Sequence, residues 1–269
     1  MYMSARGINK FYALDRHPTD LHRELLGPAE FVFQLNFWSK SEIIRFGKIL
    51  KLNKGIRLLD VGSGYGGPAC CLSEKFHCKV TGVELSKINY AFSKQLNVRK
   101  KLGSRVHFLN GDILKKKFSK CTFDRIIMID SLVHIGDRKK LFRRFSNWLR
   151  PRGKILIAVE CIMPNIPSNI KAQREKLGVV YCETESNYEN LFESFGYRII
   201  SKKVFGTKRH DFASLALRWM KRNNHTKGVK SMRMIQKLGK LNLAREVLYV
   251  LEKDHTIIIS WRKQKRNKG

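Results

Sequence analysis

Acidic residues are scarce in this chain: 22 Asp and Glu stand against 54 Lys and Arg, a formal net charge of +32 over 269 residues. Such a field attracts nucleic acid, anionic lipid or an anionic substrate, but a charge excess alone identifies no partner. Solvated charge spread over the surface accounts for it without one. Long apolar runs are absent too. No stretch of 18 or more apolar residues occurs, so no membrane-spanning helix is expected. The opening MYMSARGINKFYALDR lacks the continuous apolar segment of a signal peptide. No C-x-x-C pair occurs among Cys70, Cys71, Cys78, Cys121, Cys161 and Cys182, and His17 and His22 have no metal-ligand spacing. Zinc and a disulfide framework are thereby disfavoured, no metal site is expected, and reduced thiols in a cytoplasmic protein are the expectation. Neither an internal repeat nor a Gly/Ser linker divides the chain.

What is present is a 43% hydrophobic composition, enough for a real core, and a regular alternation of apolar strands with amphipathic helices. Ser39 and Glu42 form a capping box ahead of IIRFGKIL. Strands are expected at 56–61, 79–84, 105–112, 123–130 and 153–160, with helices after the glycine loop, from Ser86 to about Leu102, and from Arg138 to Leu149. Beyond Glu160 the rhythm changes. A helix is expected at 185–196, a sixth strand at 197–205, mostly helical basic sequence over 210–253, and a last strand in HTIIISWRK, 255–263. This order predicts an α/β fold: a doubly wound, mostly parallel seven-stranded sheet with a helical insertion before the last strand. One domain is expected over 1–269. It comprises a helical cap (1–54), a core (55–160), an acceptor-side segment with the insertion (161–253), and the last strand with a basic tail (254–269).

The first strand leads into LLDVGSGYGGPA, in which Gly62, Gly64 and Gly67 satisfy G-x-G-x-x-G. That spacing alone reads as a dinucleotide fingerprint. Asp60, two residues before the first glycine, argues otherwise, because a carboxylate there would repel a pyrophosphate. S-adenosylmethionine carries an ammonium, a sulfonium and a ribose diol, and for it nearby acids are useful. Asp60 can offset the positive methionine portion. Glu84, ending the second strand, can accept from ribose hydroxyls, although the dinucleotide fold has an acid at the same interval. Asp112, in Asn110-Gly111-Asp112 after the third strand, can accept from the adenine amine. Three acids at three successive strand ends favour the cationic methyl donor.

In this order LLDVGSGYGG, VTGVELS, NGD, FDRIIMIDSLVHI and LRPRGKILI resemble a class I, seven-stranded S-adenosylmethionine-dependent methyltransferase over about residues 56–160. Within that class, GSGYGG with LVHIGDR is similar to small-molecule N-methyltransferases acting on glycine derivatives or phosphoethanolamine. The resemblance implies an antiparallel last strand. It also implies cofactor contacts at Asp60, Gly62, Ser63, Gly64, Glu84, Leu85, Asp112 and Ile113, with Asp130 and Ser131 at the lip beside the departing methyl.

A base is needed only if the acceptor arrives protonated. His134, just past the fourth strand, is placed for it. Phosphoethanolamine-type enzymes pair a histidine at this position with an N-terminal tyrosine, which makes Tyr12 the candidate here, although the spacing after it departs from that pattern. Packing roles for both residues remain open, as they do for Phe33, Phe37 and Trp38, which either close the site over a cationic acceptor or pack on the core. Lys115–Lys117 are expected to be solvated. Two readings follow: methylation of a small amine or hydroxyl compound, an anionic one suiting the basic surplus, or methylation of RNA gripped by the basic C-terminal region. Residues 201–269 hold 19 Lys and Arg against 4 acids. Against RNA, the Asn/Asp-Pro-Pro-Tyr/Phe run of base amino-methylation is missing, as is a Cys nucleophile in a Pro-Cys context.

Overall fold

The structure, a computed structural model, describes residues 18–176, 182–205, 208–223 and 244–254, with a few positions between 229 and 237. Its elements in chain order are α1 (Pro18–Leu26), α2 (Lys40–Ile49), β1 (Arg57–Val61), α3 (Gly67–Phe76), β2 (Lys79–Glu84), α4 (Lys87–Arg99), β3 (Val106–Asn110), β4 (Phe123–Ile129), α5 (Arg138–Trp148), β5 (Leu149–Ile162), α6 (Ser168–Lys176), α7 (Glu185–Ser194), β6 (Tyr197–Val204), α8 (Lys208–Arg222) and β7 (Ala244–Lys253).

The helix starts follow local chemistry. Ser39 Oγ accepts the Glu42 N–H while Glu42 reaches back to the Ser39 N–H at 2.9 Å, completing the box that starts α2. Ser86, Asp137 and Thr184 cap α4, α5 and α7 in the same way, each side chain accepting the N–H three residues on.

The seven strands lie in the order β3-β2-β1-β4-β5-β7-β6. β1 pairs in parallel with both β2 and β4, while β7 runs antiparallel to β5 and β6. The switch in strand order therefore falls between β1 and β4, above the carboxyl end of β1 where the glycine loop leaves.

Both faces of the sheet are covered, and strand side chains alternate between them. Ile126, Met128, Ile155, Ile157, Val247 and Tyr249 face Leu141, Phe142, Phe145 and Trp148 of α5 and Tyr188 and Phe192 of α7. Ile127, Leu156, Ala158, Leu248 and Val250 face Ile43, Phe46, Leu72 and Leu96 of α2, α3 and α4.

One expectation needs correction. The segment 244–253, assigned to mostly helical sequence, is strand β7, which places the final described strand inside the stretch given to the insertion. The strand expected at 255–263 lies outside the described residues, as does the basic tail. Lying between two strands and covered on both faces, β7 has apolar residues at consecutive positions, so its period of two is hidden. The aromatic cluster packs. Trp38 is fully buried, edge-on to Phe46 and Phe205 with centroids 5.0 Å away in each case, and Phe33 lies against Phe92. Among the described residues, no helix is long and apolar enough to cross a membrane, and no group of His, Cys, Asp or Glu is arranged to hold a metal ion.

Candidate active site and cofactor cleft

The glycine loop turns sharply out of β1. Gly62 and Ser63 both donate their N–H to the Val83 carbonyl, at 2.9 and 3.2 Å, tying the loop to β2. Gly62 has φ +74, and a Cβ there would sit 2.5 Å from Ser131 Cβ. Only glycine satisfies both the left-handed backbone and that approach. At Gly67 a Cβ would run into the Val32 carbonyl oxygen, so the segment before α2 lies directly on the loop. Gln34 braces that segment: fully buried, it accepts from Val32 N–H and donates to the Glu30 and Trp38 carbonyls.

The acids converge on this loop. Glu84, at the end of β2, takes the Gly64 N–H on Oε2 and the Ser86 N–H on Oε1, both at 2.8 Å. It thus joins the glycine loop to the start of α4. Burial raises its pKa, and those two backbone bonds act in the opposite direction. Asp60, at the end of β1, is 3% exposed. Burial, reinforced by the charge of Glu84, pushes its carboxyl up to about 7. The Glu84 charge disfavours a second negative charge on Asp60, so the pair would favour a cation beside it. Asp112 lies past β3, with Oδ1 accepting the Leu114 N–H at 2.8 Å in a short turn.

The lip is built at the end of β4. Ser131 Oγ donates to the Val61 carbonyl at 2.5 Å, so this residue clamps the β1 end beside Gly62. Asp130 adopts φ +55 and donates its N–H to the Ala158 carbonyl on β5. The next residues form a single 3-10 turn, Leu132–His134, on which His134 is exposed. Leu85 is half-buried, and Ile113 is buried with the core of the α5 face, so its side chain packs. Tyr12 lies outside the described residues.

Several residues outside the expected site set also hold the loop and its acids. Asn110 donates its side-chain amide to the Glu84 and Leu85 carbonyls, at 2.9 and 3.2 Å, locking β3 to β2. Lys116 is half-buried, not solvated, and its ammonium donates to the Asn110 carbonyl at 2.6 Å. Gly66, with φ +79, is the N-cap of α3 and lies against Phe108 and Ser93. Its signal was in the sequence: it is the extra glycine of GSGYGG.

A Rossmann-like sheet with an antiparallel end, a glycine loop at its switch point and strand-end acids facing that loop define a class I S-adenosylmethionine-dependent methyltransferase domain, and the cofactor is S-adenosylmethionine. Residues 59–157 match the family model described as a methyltransferase domain. The chain is similar to phosphoethanolamine N-methyltransferase 3 of Arabidopsis thaliana, 39% identical over 125 residues, which cover 46% of this chain and 25% of that protein. To the Plasmodium falciparum phosphoethanolamine N-methyltransferase it is 32% identical over 139 residues, covering 49% of this chain and 50% of that one. The aligned part is thus half or less of each relative's length. Among solved structures, Haemonchus contortus phosphoethanolamine N-methyltransferase 2 superposes with a TM-score of 0.73 at 21% identity, over 90% of this chain and 59% of that one, and shares the fold.

Proposed function

We propose that this chain transfers a methyl group from S-adenosylmethionine to the nitrogen of a small anionic amine of the phosphoethanolamine type. The observation that carries the reading is the buried Asp60–Glu84 pair beside the Gly62–Gly64 turn, in a chain similar to phosphoethanolamine N-methyltransferases. When bound, the cofactor supplies an electrophilic methyl group on a sulfonium. Gly62, Ser63 and Gly64 let backbone approach it, and Asp60 offsets its positive methionine portion. Glu84 accepts from its ribose hydroxyls with the lone pairs left by the Gly64 and Ser86 N–H groups. Asp112 and the Leu85 and Ile113 backbone border its adenine, and Asp130 and Ser131 form the lip.

An amine acceptor reaches the cleft as an ammonium and must lose a proton before its lone pair can attack. His134, exposed on the turn that follows Ser131, takes that proton and returns it to water. Tyr12 stands as its partner in this reading. In this reading an acceptor pocket excludes water and positions the amine, and positioning is a large part of such a rate enhancement. The basic surplus suits the acceptor's phosphate.

The test is methyl-labelled S-adenosylmethionine offered together with phosphoethanolamine, a metabolite pool and total RNA. Label is expected in the phosphorylated amine. Label in RNA, with steeply salt-dependent RNA retention, would overturn the reading in favour of nucleic-acid methylation. For His134→Ala, turnover should fall by about 100-fold or more with cofactor affinity retained. Unchanged turnover removes His134 from the chemistry.

A further inference from the structure

Beside α5, this helix and the loop between β3 and β4 border an open recess of about 590 Å³. That volume lies within the range of small-ligand sites. Four cations line it: Lys117 from the loop, and Lys140, Arg143 and Arg144 from α5. Positions 140, 144 and 147 fall on one helix face, with 143 beside them, so the helical repeat itself gathers the charges.

The floor is rigid and aromatic. Phe118 stands edge-on to both Trp148 and Phe123, with centroids 5.0 Å away in each case. The Arg144 guanidinium lies 5.6 Å over the Trp148 ring and donates to the Lys116 carbonyl at 2.6 Å, which fixes its plane. Some surface cations pair with acids, as in Lys100–Glu74, Arg150–Asp124 and Arg198–Glu252. None of the four recess cations pairs with a carboxylate among the described residues. The large exposed apolar side chains, Ile88, Val98, Val204 and Leu215, all lie on other elements, so the recess has no apolar wedge to enter a bilayer.

Four unneutralised cations converging on one recess repel one another until an anion of matching charge enters. Guanidinium forks match phosphate oxygens in pairs, and ammonium groups add point charges around them. We propose that the recess is a binding site, separate from the cofactor cleft, for a compact oligophosphate group: two or more phosphates held close together.

The test is calorimetric titration of the full chain with tripolyphosphate at about 150 mM salt, with saturating S-adenosylhomocysteine closing the cofactor cleft. One-site binding is expected, weakened about tenfold or more in the double variant Lys140→Glu/Arg143→Glu, while S-adenosylhomocysteine binding and cooperative unfolding persist. A charge-matched control, Lys54→Glu/Lys75→Glu, should retain the wild-type affinity. Equal weakening by both pairs would reveal diffuse surface attraction and overturn the proposal. So would the absence of one-site binding, or a short RNA that binds tightly and is not displaced by tripolyphosphate. Vesicles bearing a phosphatidylinositol bisphosphate separate two sources of the same chemistry. Co-sedimentation lost in the Lys140/Arg143 variant assigns a lipid headgroup, and tripolyphosphate binding without co-sedimentation assigns a soluble ligand.

Discussion

Glu84 holds Gly64: its Oε2 accepts the glycine N–H at 2.8 Å while Oε1 accepts that of Ser86. One carboxylate therefore sets the distance between the glycine loop and the helix that follows β2. Glu84→Ala leaves two backbone donors in a buried cleft without their acceptor, at a cost of roughly 1–3 kcal/mol. Loss of that stability in urea unfolding, together with a cofactor affinity at least about tenfold lower, is the expected outcome. Glu84→Gln keeps one oxygen acceptor and should fall between the two.

On the proposed function, cofactor binding beside Asp60 should release a proton. With its carboxyl pushed up to about 7, a large share is protonated at neutral pH, and a cationic ligand would draw it back to carboxylate. Calorimetry near pH 7 in two buffers of different ionisation heat should show net proton release that fades by about pH 9 and is missing in Asp60→Asn.

The same shift gives a stability prediction whose sign follows from linkage. The folded protein holds this proton more tightly than the unfolded chain, whose aspartate titrates near 3.9. The contribution is full below that value and lost as pH rises through about 7. Replacing wild type with Asp60→Asn should flatten the pH dependence of unfolding free energy across that window. An unchanged slope would place the shift elsewhere.

Gly62 and Ser131 are coupled by contact. In Gly62→Ala the new methyl meets Ser131 Cβ at 2.5 Å on a backbone with φ +74. Destabilisation of about 1–3 kcal/mol is expected, with loss of cofactor binding. Made in a Ser131→Gly background, where that Cβ is gone, the same substitution should cost measurably less. Additive effects would show that backbone strain alone is responsible.

Thiol reactivity should separate the cysteines. Burial raises Cys70 to about 12 and Cys71 and Cys78 to about 11, whereas Cys121 is exposed. Maleimide on the native protein should label Cys121 first, with Cys70, Cys71, Cys78 and the equally buried Cys161 reacting only in denaturant.

The sequence by itself determined the alternation of strands and helices through β6, α6 apart, the helix caps at Ser39 and Ser86, the glycine loop and the three strand-end acids. Those features are local: a cap, a turn and a strand end each depend on a few neighbouring residues, so spacing and residue type suffice to place them. Tertiary structure decided the rest. That 244–253 forms β7 follows from its insertion between β5 and β6, which buries both of its faces and erases the alternation that would have marked it. That Lys116 turns inward follows from the Asn110 carbonyl exposed at the end of β3, and a run of three lysines carries no sign of it. Glu84 was legible as an acid at the end of the second strand. Its grip on Gly64 and Ser86, and the pressure it puts on the Asp60 carboxyl, arise only when parallel strands bring residues distant in the chain to one edge of the sheet, where burial strengthens every charge they carry.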